Sequence, residues 1–186
     1  MKAISLTKAQ RKEFAGFRQA RQDILEVYEV VRKDKLPVYS TEDFILISQA
    51  LDSQRFGRFA ETQVCALLGL TQGRINTDPD GTCEDNKTYE IKASDASVSS
   101  AIHLVQYRPG STDYIVLLVV FDDRVEIYSI PDKDALDLFS WGTAHSGGAE
   151  LRVTVKVGSK PYSNMQQYLV KTFNRGDKMT AFSLKG

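Results

Sequence analysis

The longest periodic stretch lies near the N-terminus. From Thr7 to about Arg32 the apolar residues Phe14, Phe17, Ile24, Tyr28 and Val31 recur at intervals of three, four and seven, with Gln10 and Arg21 as polar members of the same stripe. This pattern predicts a long amphipathic helix, opened by a capping box of Thr7 and Gln10 and stopped at Leu36-Pro37. Ser40-Thr41-Glu42-Asp43 predicts a second helix start, running to about Leu51, because a hydroxyl can cap free amides there and acids complement the helix dipole. A third helix is expected from Arg55 to Leu70. Gly73, Asn76, Pro79, Gly81 and Asn86 then break the chain into short extended pieces that feed a hairpin.

Residues 88–93 alternate strictly, with Tyr89, Ile91 and Ala93 on one face of a strand and Glu90 and Lys92 on the other. A helix is expected from Asp95 to about Val105, followed by a turn at Tyr107-Arg108-Pro109-Gly110. Tyr114 to Phe121 is an unbroken apolar run rich in β-branched residues, the pattern of a strand covered on both faces by helices. Asp122-Asp123 turns it into a second strand at 124–130, and Pro131 opens a short helix to Phe139. The tail reads as a flexible Ser146-Gly147-Gly148, a strand at 151–157 and a helix near Tyr162 to Phe173.

Composition narrows the class. The 186 residues are 42% hydrophobic and 26% charged, with no apolar run of membrane-spanning length, which predicts one soluble globular domain. The N-terminus lacks the apolar core of a secretory signal, so a cytoplasmic location is expected. Cys65 and Cys83 have no further Cys or His at metal spacing, which supports neither a disulfide framework nor a zinc site; Cys65 reads as core packing.

The net charge is zero, yet the charges are segregated. Residues 1–35 carry 9 Lys/Arg against 5 Asp/Glu, residues 152–186 carry 7 against 1, and the rest of the chain 8 against 18. Basic flanks around an acidic centre suit a protein that grips a polyanion while gathering carboxylates, and cations with them, in one place.

Three features locate that chemistry. Glu90 and Lys92 share one strand face, so a carboxylate able to hold a divalent cation sits beside a positive group suited to an attacking water. A hairpin turning around Asp85-Asn86 sets Asp80 opposite Glu90, and two facing carboxylates repel unless a cation bridges them. Asp78 and Asp85 are alternatives to Asp80 if the turn lies elsewhere, and Glu84 is a weaker one. Glu61 shares its helical face with Gly57, Val64, Cys65 and Leu68 and therefore points inward or into a cleft, where a metal, an ordered water or Lys92 would offset its charge.

Gly57-Arg-Phe-Ala-Glu61 on a helix, Pro79-Asp80 in a broken stretch, and Tyr-Glu90-Ile-Lys92-Ala-Ser after a ten-residue gap together resemble the PD-(D/E)xK nuclease superfamily. The segment from Val105 through Ile130-Pro131 is similar to the region after this motif in type II restriction endonucleases, so the resemblance covers roughly residues 55–150. It implies an α/β fold, a mixed central β-sheet flanked by α-helices in a restriction-endonuclease-like core with an N-terminal helical extension. Residues 1–52 would form the helical region packed on that core and 53–186 the nuclease core with its basic C-terminal region, as a single structural domain.

The resemblance further implies that Asp80 and Glu90 bind Mg²⁺, with Mn²⁺ able to substitute. Lys92 would position or help deprotonate the attacking water, and Glu61 would bind a second metal directly or through water. The implied activity is hydrolysis of duplex DNA to 5′-phosphate and 3′-hydroxyl ends, by a homodimer if both strands of a palindrome are cut. A structure-specific, repair or homing nuclease of the same core is the nearest alternative, and a catalytically silent DNA-binding module the next. No Gly-rich loop suggests a nucleotide cofactor.

Candidate DNA contacts are Gln106 and Arg108 before the buried strand, His145 beside the Ser-Gly-Gly stretch, and Lys156 and Lys160, with Lys171, Arg175 and Lys178 as further phosphate partners. Trp141 reads as a packing anchor.

Overall fold

The structure, a computed structural model, describes residues 8–34, 37–73, 79–143 and 150–184. The chain divides into two compact units, Met1–Leu36 and Pro37–Gly186. The first contains helix α1 (Lys8–Asp34), whose polar surface is tied along its length by pairs three or four residues apart: Gln19 donates to Asp23 at 2.8 Å, and Arg32 meets Glu29 at 2.7 Å. Thr7, half of the expected capping box, lies outside the described residues.

The second unit opens with α2 (Thr41–Ala50) and α3 (Ser53–Leu68). Ser40 caps α2 by accepting the Asp43 N–H at 3.2 Å, and Asp52 caps α3 by accepting the Arg55 N–H at 2.9 Å. Gly69 ends α3 in the left-handed region, φ +66°, which costs glycine nothing.

A six-stranded mixed sheet follows, built from β1 (Thr71–Gln72), β2 (Gly81–Thr82), β3 (Thr88–Asp95), β5 (Tyr114–Val120), β6 (Arg124–Pro131) and β9 (Leu169–Asn174), in the order β1-β2-β3-β5-β6-β9. Only β3 and β5 run parallel. A separate three-stranded antiparallel sheet has the order β4-β8-β7, from β4 (Ala101–Tyr107), β7 (Gly142–Thr143) and β8 (Leu151–Lys156). Two short helices, α4 (Asp132–Leu138) and α5 (Lys160–Met165), complete the unit. The fold is α/β, a mixed central sheet flanked by helices and preceded by an N-terminal helix.

Alternation along β5 explains the layers. Ile115, Leu117 and Val119 face a core shared with Ile102, Leu104 and Tyr107 of β4, Val155 of β8, and Ala135, Phe139 and Met165 from the α4 and α5 region. Val116, Leu118 and Val120 point the other way and are equally buried, on the face where α2 packs on β6 and α3 on β3. One cover of the central strand is therefore partly a second sheet rather than helices alone.

Two expectations are corrected. Residues 95–105 do not form a helix: Asp95 ends β3 and accepts the Ser97 N–H at 2.9 Å, making a turn, and β4 follows. Ile102 and Leu104 bury on one side while β8 supplies the backbone ladder, and that distant strand decides the segment. The helix expected at 162–173 stops at Met165. After one 3₁₀ turn at Gln166–Tyr168 the chain becomes β9, whose Val170, Thr172 and Phe173 suit a strand and which covers the open edge of β6. Trp141 does serve as a packing anchor, stacked near Tyr107 and edge-on to Phe139, with its indole N–H donated to the Ala135 carbonyl at 2.9 Å.

Candidate active site

The site is set by the β2–β3 hairpin. Gly81 pairs with Tyr89 and Thr82 with Thr88, so the register carried one step further places Asp80 across from Glu90 and leaves residue 85 at the turn. The turn is closed by Asn86 N–H to the Cys83 carbonyl at 3.0 Å, with Asn86 in the left-handed region at φ +61°. Glu84 and Asp85 are exposed at its tip. The hairpin thus separates acids that periodicity alone left equivalent. Asp78 lies outside the described residues.

Asp80 is held by a specific contact. β2 begins at Gly81, and beyond it the Asp80 carboxylate takes the place of a ladder carbonyl, accepting the Ile91 N–H at 2.7 Å. Its side chain is thereby fixed beside the strand positions of Glu90 and Lys92. Burial pushes the Asp80 carboxyl up from its ordinary range, the Ile91 N–H pulls it part of the way back, and the Glu90 charge adds to the rise.

α3 delivers Glu61. The hairpin packs against the end of the helix: a Cβ at position 81 would lie 2.9 Å from Cδ1 of Leu70, just past α3, and in ordinary contact with Cys65 Sγ at 3.4 Å. The Cys65 thiol, one helical turn after Glu61, donates to the Asp80 carbonyl at 3.6 Å. Burial and the charges of Asp80 and Glu61 push that thiol up to about 12, so it is an inert packing group. Glu61 is pushed up to about 7, first by burial and then by the Asp80 charge, with Lys92 acting against both and Glu90 adding to the rise.

Lys92 and Glu90 project from the same face of β3 and form an ion pair, Nζ to Oε1 at 2.5 Å, with side chains only 18% and 19% exposed. Three carboxylates and one ammonium therefore share a partly desolvated corner between α3, the hairpin and β3. Among the described residues no group of three or more His, Cys, Asp or Glu stands at the spacing of a ready-made cation cage. The donor chemistry nevertheless suits a hard divalent cation. All three acids offer oxygen, and behind the larger effect of burial Glu61 and Asp80 each feel the charge of a neighbouring carboxylate.

The remaining candidates are distributed unevenly. Gln106 is exposed with φ +57°, and Arg108 is exposed but paired with Glu150 at 2.5 Å. Lys156 and Lys160 are exposed on β8 and at the start of α5. Lys171 lies over the Phe173 ring, and Arg175 pairs with Glu42 at 3.1 Å. Lys178 is exposed beside a β-bridge to Ser40. His145 and the Ser146-Gly147-Gly148 stretch lie outside the described residues.

Two groups escaped the sequence reading. Tyr107, at the buried end of β4, feels the Glu90 charge, as does the already named Arg108; β4 packs along β3, and the Ile102/Leu104 alternation was the available signal. Buried Glu126 accepts from Arg124 Nε at 2.7 Å, from the Tyr162 hydroxyl at 3.2 Å and, through a very short bond, from the Tyr128 hydroxyl, and Gln166 donates to Tyr128 at 2.8 Å. Nothing in a single sequence marks such a network, because its members are 2 to 42 positions apart.

Compared with known proteins, the chain matches no family model and no curated protein. Among the described residues no helix is long and apolar enough to cross a membrane.

Proposed function

We propose that this chain is a Mg²⁺-dependent DNA endonuclease of the PD-(D/E)xK superfamily, acting in the cytoplasm as a sequence-specific type II restriction enzyme. The observation that carries the reading is the hairpin register: it sets Asp80 across from Glu90, with Lys92 on the same strand face and Glu61 brought over by α3. Those four residues are the ones the superfamily pattern names, and folding brings Glu61 and Asp80 to the Glu90–Lys92 pair on β3.

Asp80 and Glu90 would hold the cation, with Glu61 available to a second one directly or through water. When bound, Mg²⁺ supplies charge neutralisation at the scissile phosphate and a more acidic water. The chain's own groups do the rest. The Ile91 N–H keeps the Asp80 carboxylate from rotating away, so its orientation is prepaid in folding rather than at each turnover. Lys92 Nζ, paired with Glu90 in this structure, would orient an attacking water and steady the negative charge that grows on the phosphate if Glu90 held a cation. The half-buried surroundings strengthen each of these interactions. Gln106, exposed at the end of β4 one residue from Tyr107, would meet the duplex. Cutting both strands of a palindrome calls for two copies of the chain.

The test is incubation of the purified chain and its Lys92→Ala variant with plasmid and phage DNA, in Mg²⁺ or EDTA, resolved on a gel. Discrete Mg²⁺-dependent bands from the wild type alone support the reading. Binding without cleavage by the wild type, on plasmids and on branched DNA alike, replaces it with a silent DNA-binding module; cleavage of junctions only replaces it with a structure-specific nuclease.

A further inference from the structure

The three-stranded sheet has one face in the core and one in solvent. Along β8, Val153 and Val155 turn inward, while Arg152, Thr154 and Lys156 are exposed. Along β4, Ile102 and Leu104 turn inward, and exposed His103 sits in register with Thr154, its Nδ1 3.1 Å from the threonine Oγ1. The outward positions of these two strands carry no carboxylate, in a chain whose middle section is otherwise acidic. A hydroxyl and an imidazole between two cations is a surface built for phosphate oxygens.

One end of this ribbon is irregular. Leu104 pairs with Val153 and Tyr107 with Leu151, so Val105 and Gln106 together oppose the single residue Arg152. That is a β-bulge, and Gln106 occupies it at φ +57°, a conformation that costs a non-glycine residue about 1 kcal/mol. Both bulged residues are exposed. A glutamine held at this cost beside an arginine, next to the strand end that feels the Glu90 charge, is an arrangement that folding alone does not require.

We propose that the outward face of the β4–β8 ribbon is the surface that docks on duplex DNA, with Gln106 and Arg152 at the bulge turned to base edges and His103, Thr154 and Lys156 along the phosphate backbone. A two-stranded ribbon fits the major groove, where glutamine and arginine read adenine and guanine through paired hydrogen bonds. Duplex DNA is the occupant because the face is a two-stranded ribbon that carries Arg152 and Lys156 and no carboxylate. The inference rests on the nuclease reading for its choice of polyanion.

The test is fluorescence anisotropy of labelled duplexes drawn from a randomised pool, with Ca²⁺ in place of Mg²⁺ so that binding is read without cleavage, across a series of salt concentrations. Lys156→Ala is expected to reduce the slope of log affinity against log salt by about one and to weaken binding roughly tenfold at low salt. Gln106→Ala is expected to leave that slope unchanged while flattening discrimination among the selected sequences. Lys133→Ala, on α4, serves as a control that changes neither, and thermal melting verifies that each variant is folded. If the wild type binds and cleaves duplex DNA and the ribbon variants bind it as the wild type does, the ribbon proposal is overturned and the nuclease reading stands. A wild type that binds no duplex overturns both.

Discussion

The carboxylate of Asp80 accepts the backbone N–H of Ile91, the residue that lies between Glu90 and Lys92 on β3. One hydrogen bond thus ties a loop acid to the strand that carries its two partners, and it separates the structural from the chemical role of Asp80. Asp80→Asn keeps an oxygen to accept that N–H, so the melting temperature is expected to stay within a few degrees, while Mg²⁺-dependent cleavage falls at least 100-fold. Asp80→Ala loses both and is expected to be destabilised by about 1–2 kcal/mol. Urea unfolding beside a plasmid cleavage assay checks the pair; Asn and wild type cleaving alike would remove Asp80 from the site.

Lys92 is the only cation drawn into an ion pair within this corner among the described residues. Lys92→Met keeps the aliphatic stem and removes the charge. Cleavage is expected to drop by at least about 100-fold with duplex binding retained in Ca²⁺. The melting temperature should also fall, because Glu90, Asp80 and Glu61 then lose the cation paired within the corner and keep only the weaker influence of Arg58 on Glu61, and Mg²⁺ should restore part of that loss.

Glu61 gives the corner a pH signature. Its carboxyl is pushed up to about 7 from an ordinary 4.5, mainly by burial, so between those values the folded chain keeps a proton that the unfolded chain has released. Stability from this group is therefore fully present below about pH 4.5 and is lost as the pH rises through about 7, by an amount on the order of 2 kcal/mol. Glu61→Gln removes the ionisation. Its melting temperature is expected to exceed the wild type's at pH 8 and to match it near pH 5, and equal pH profiles for the two proteins would contradict the burial of this carboxyl.

Gln106 is a position where fold and function pull in opposite directions. Gln106→Gly relieves the positive φ, so the variant is expected to be as stable as the wild type or more stable by about 0.5–1 kcal/mol. Sequence selectivity of cleavage should nonetheless relax, read as additional bands on phage DNA. A more stable variant with an unchanged band pattern would confine Gln106 to a structural role.

Away from the site, buried Glu126 is paired with Arg124 and receives the Tyr128 and Tyr162 hydroxyls, linking β6 to α5. Glu126→Ala removes the acceptor shared by Arg124, Tyr128 and Tyr162, while Arg124 keeps Asp123 and Tyr128 keeps Gln166, and is expected to cost about 1–3 kcal/mol in urea unfolding, with Glu126→Gln costing less. Cleavage per folded molecule at low temperature should be unchanged in the Gln variant.

The sequence by itself determined the elements whose signals are local. Ser40 caps a helix because a side-chain oxygen three residues before a free amide needs no partner from elsewhere. The apolar run at 114–120 had to be a central strand, and the charge alternation at 88–93 had to put Glu90 and Lys92 on one face, since a strand has a period of two in any context. The turn signals at Asp85-Asn86 allowed the pairing of Asp80 with Glu90 but left Asp78 and Asp85 open, and the observed register put Asp80 across from Glu90 and residue 85 at the turn. Tertiary structure decided the rest. Residues 101–107 and 169–174 became strands because β8 and β6 offered unpaired edges, an energy that no window of the sequence contains. The same holds for the bulge at Gln106, which exists only because Arg152 sits opposite, and for the approach of Glu61 to Asp80, which depends on α3 packing against β3. Short-range sterics and periodicity are written along the chain; which edges meet, and which charges are thereby buried together, is settled only when distant segments compete for the same partners.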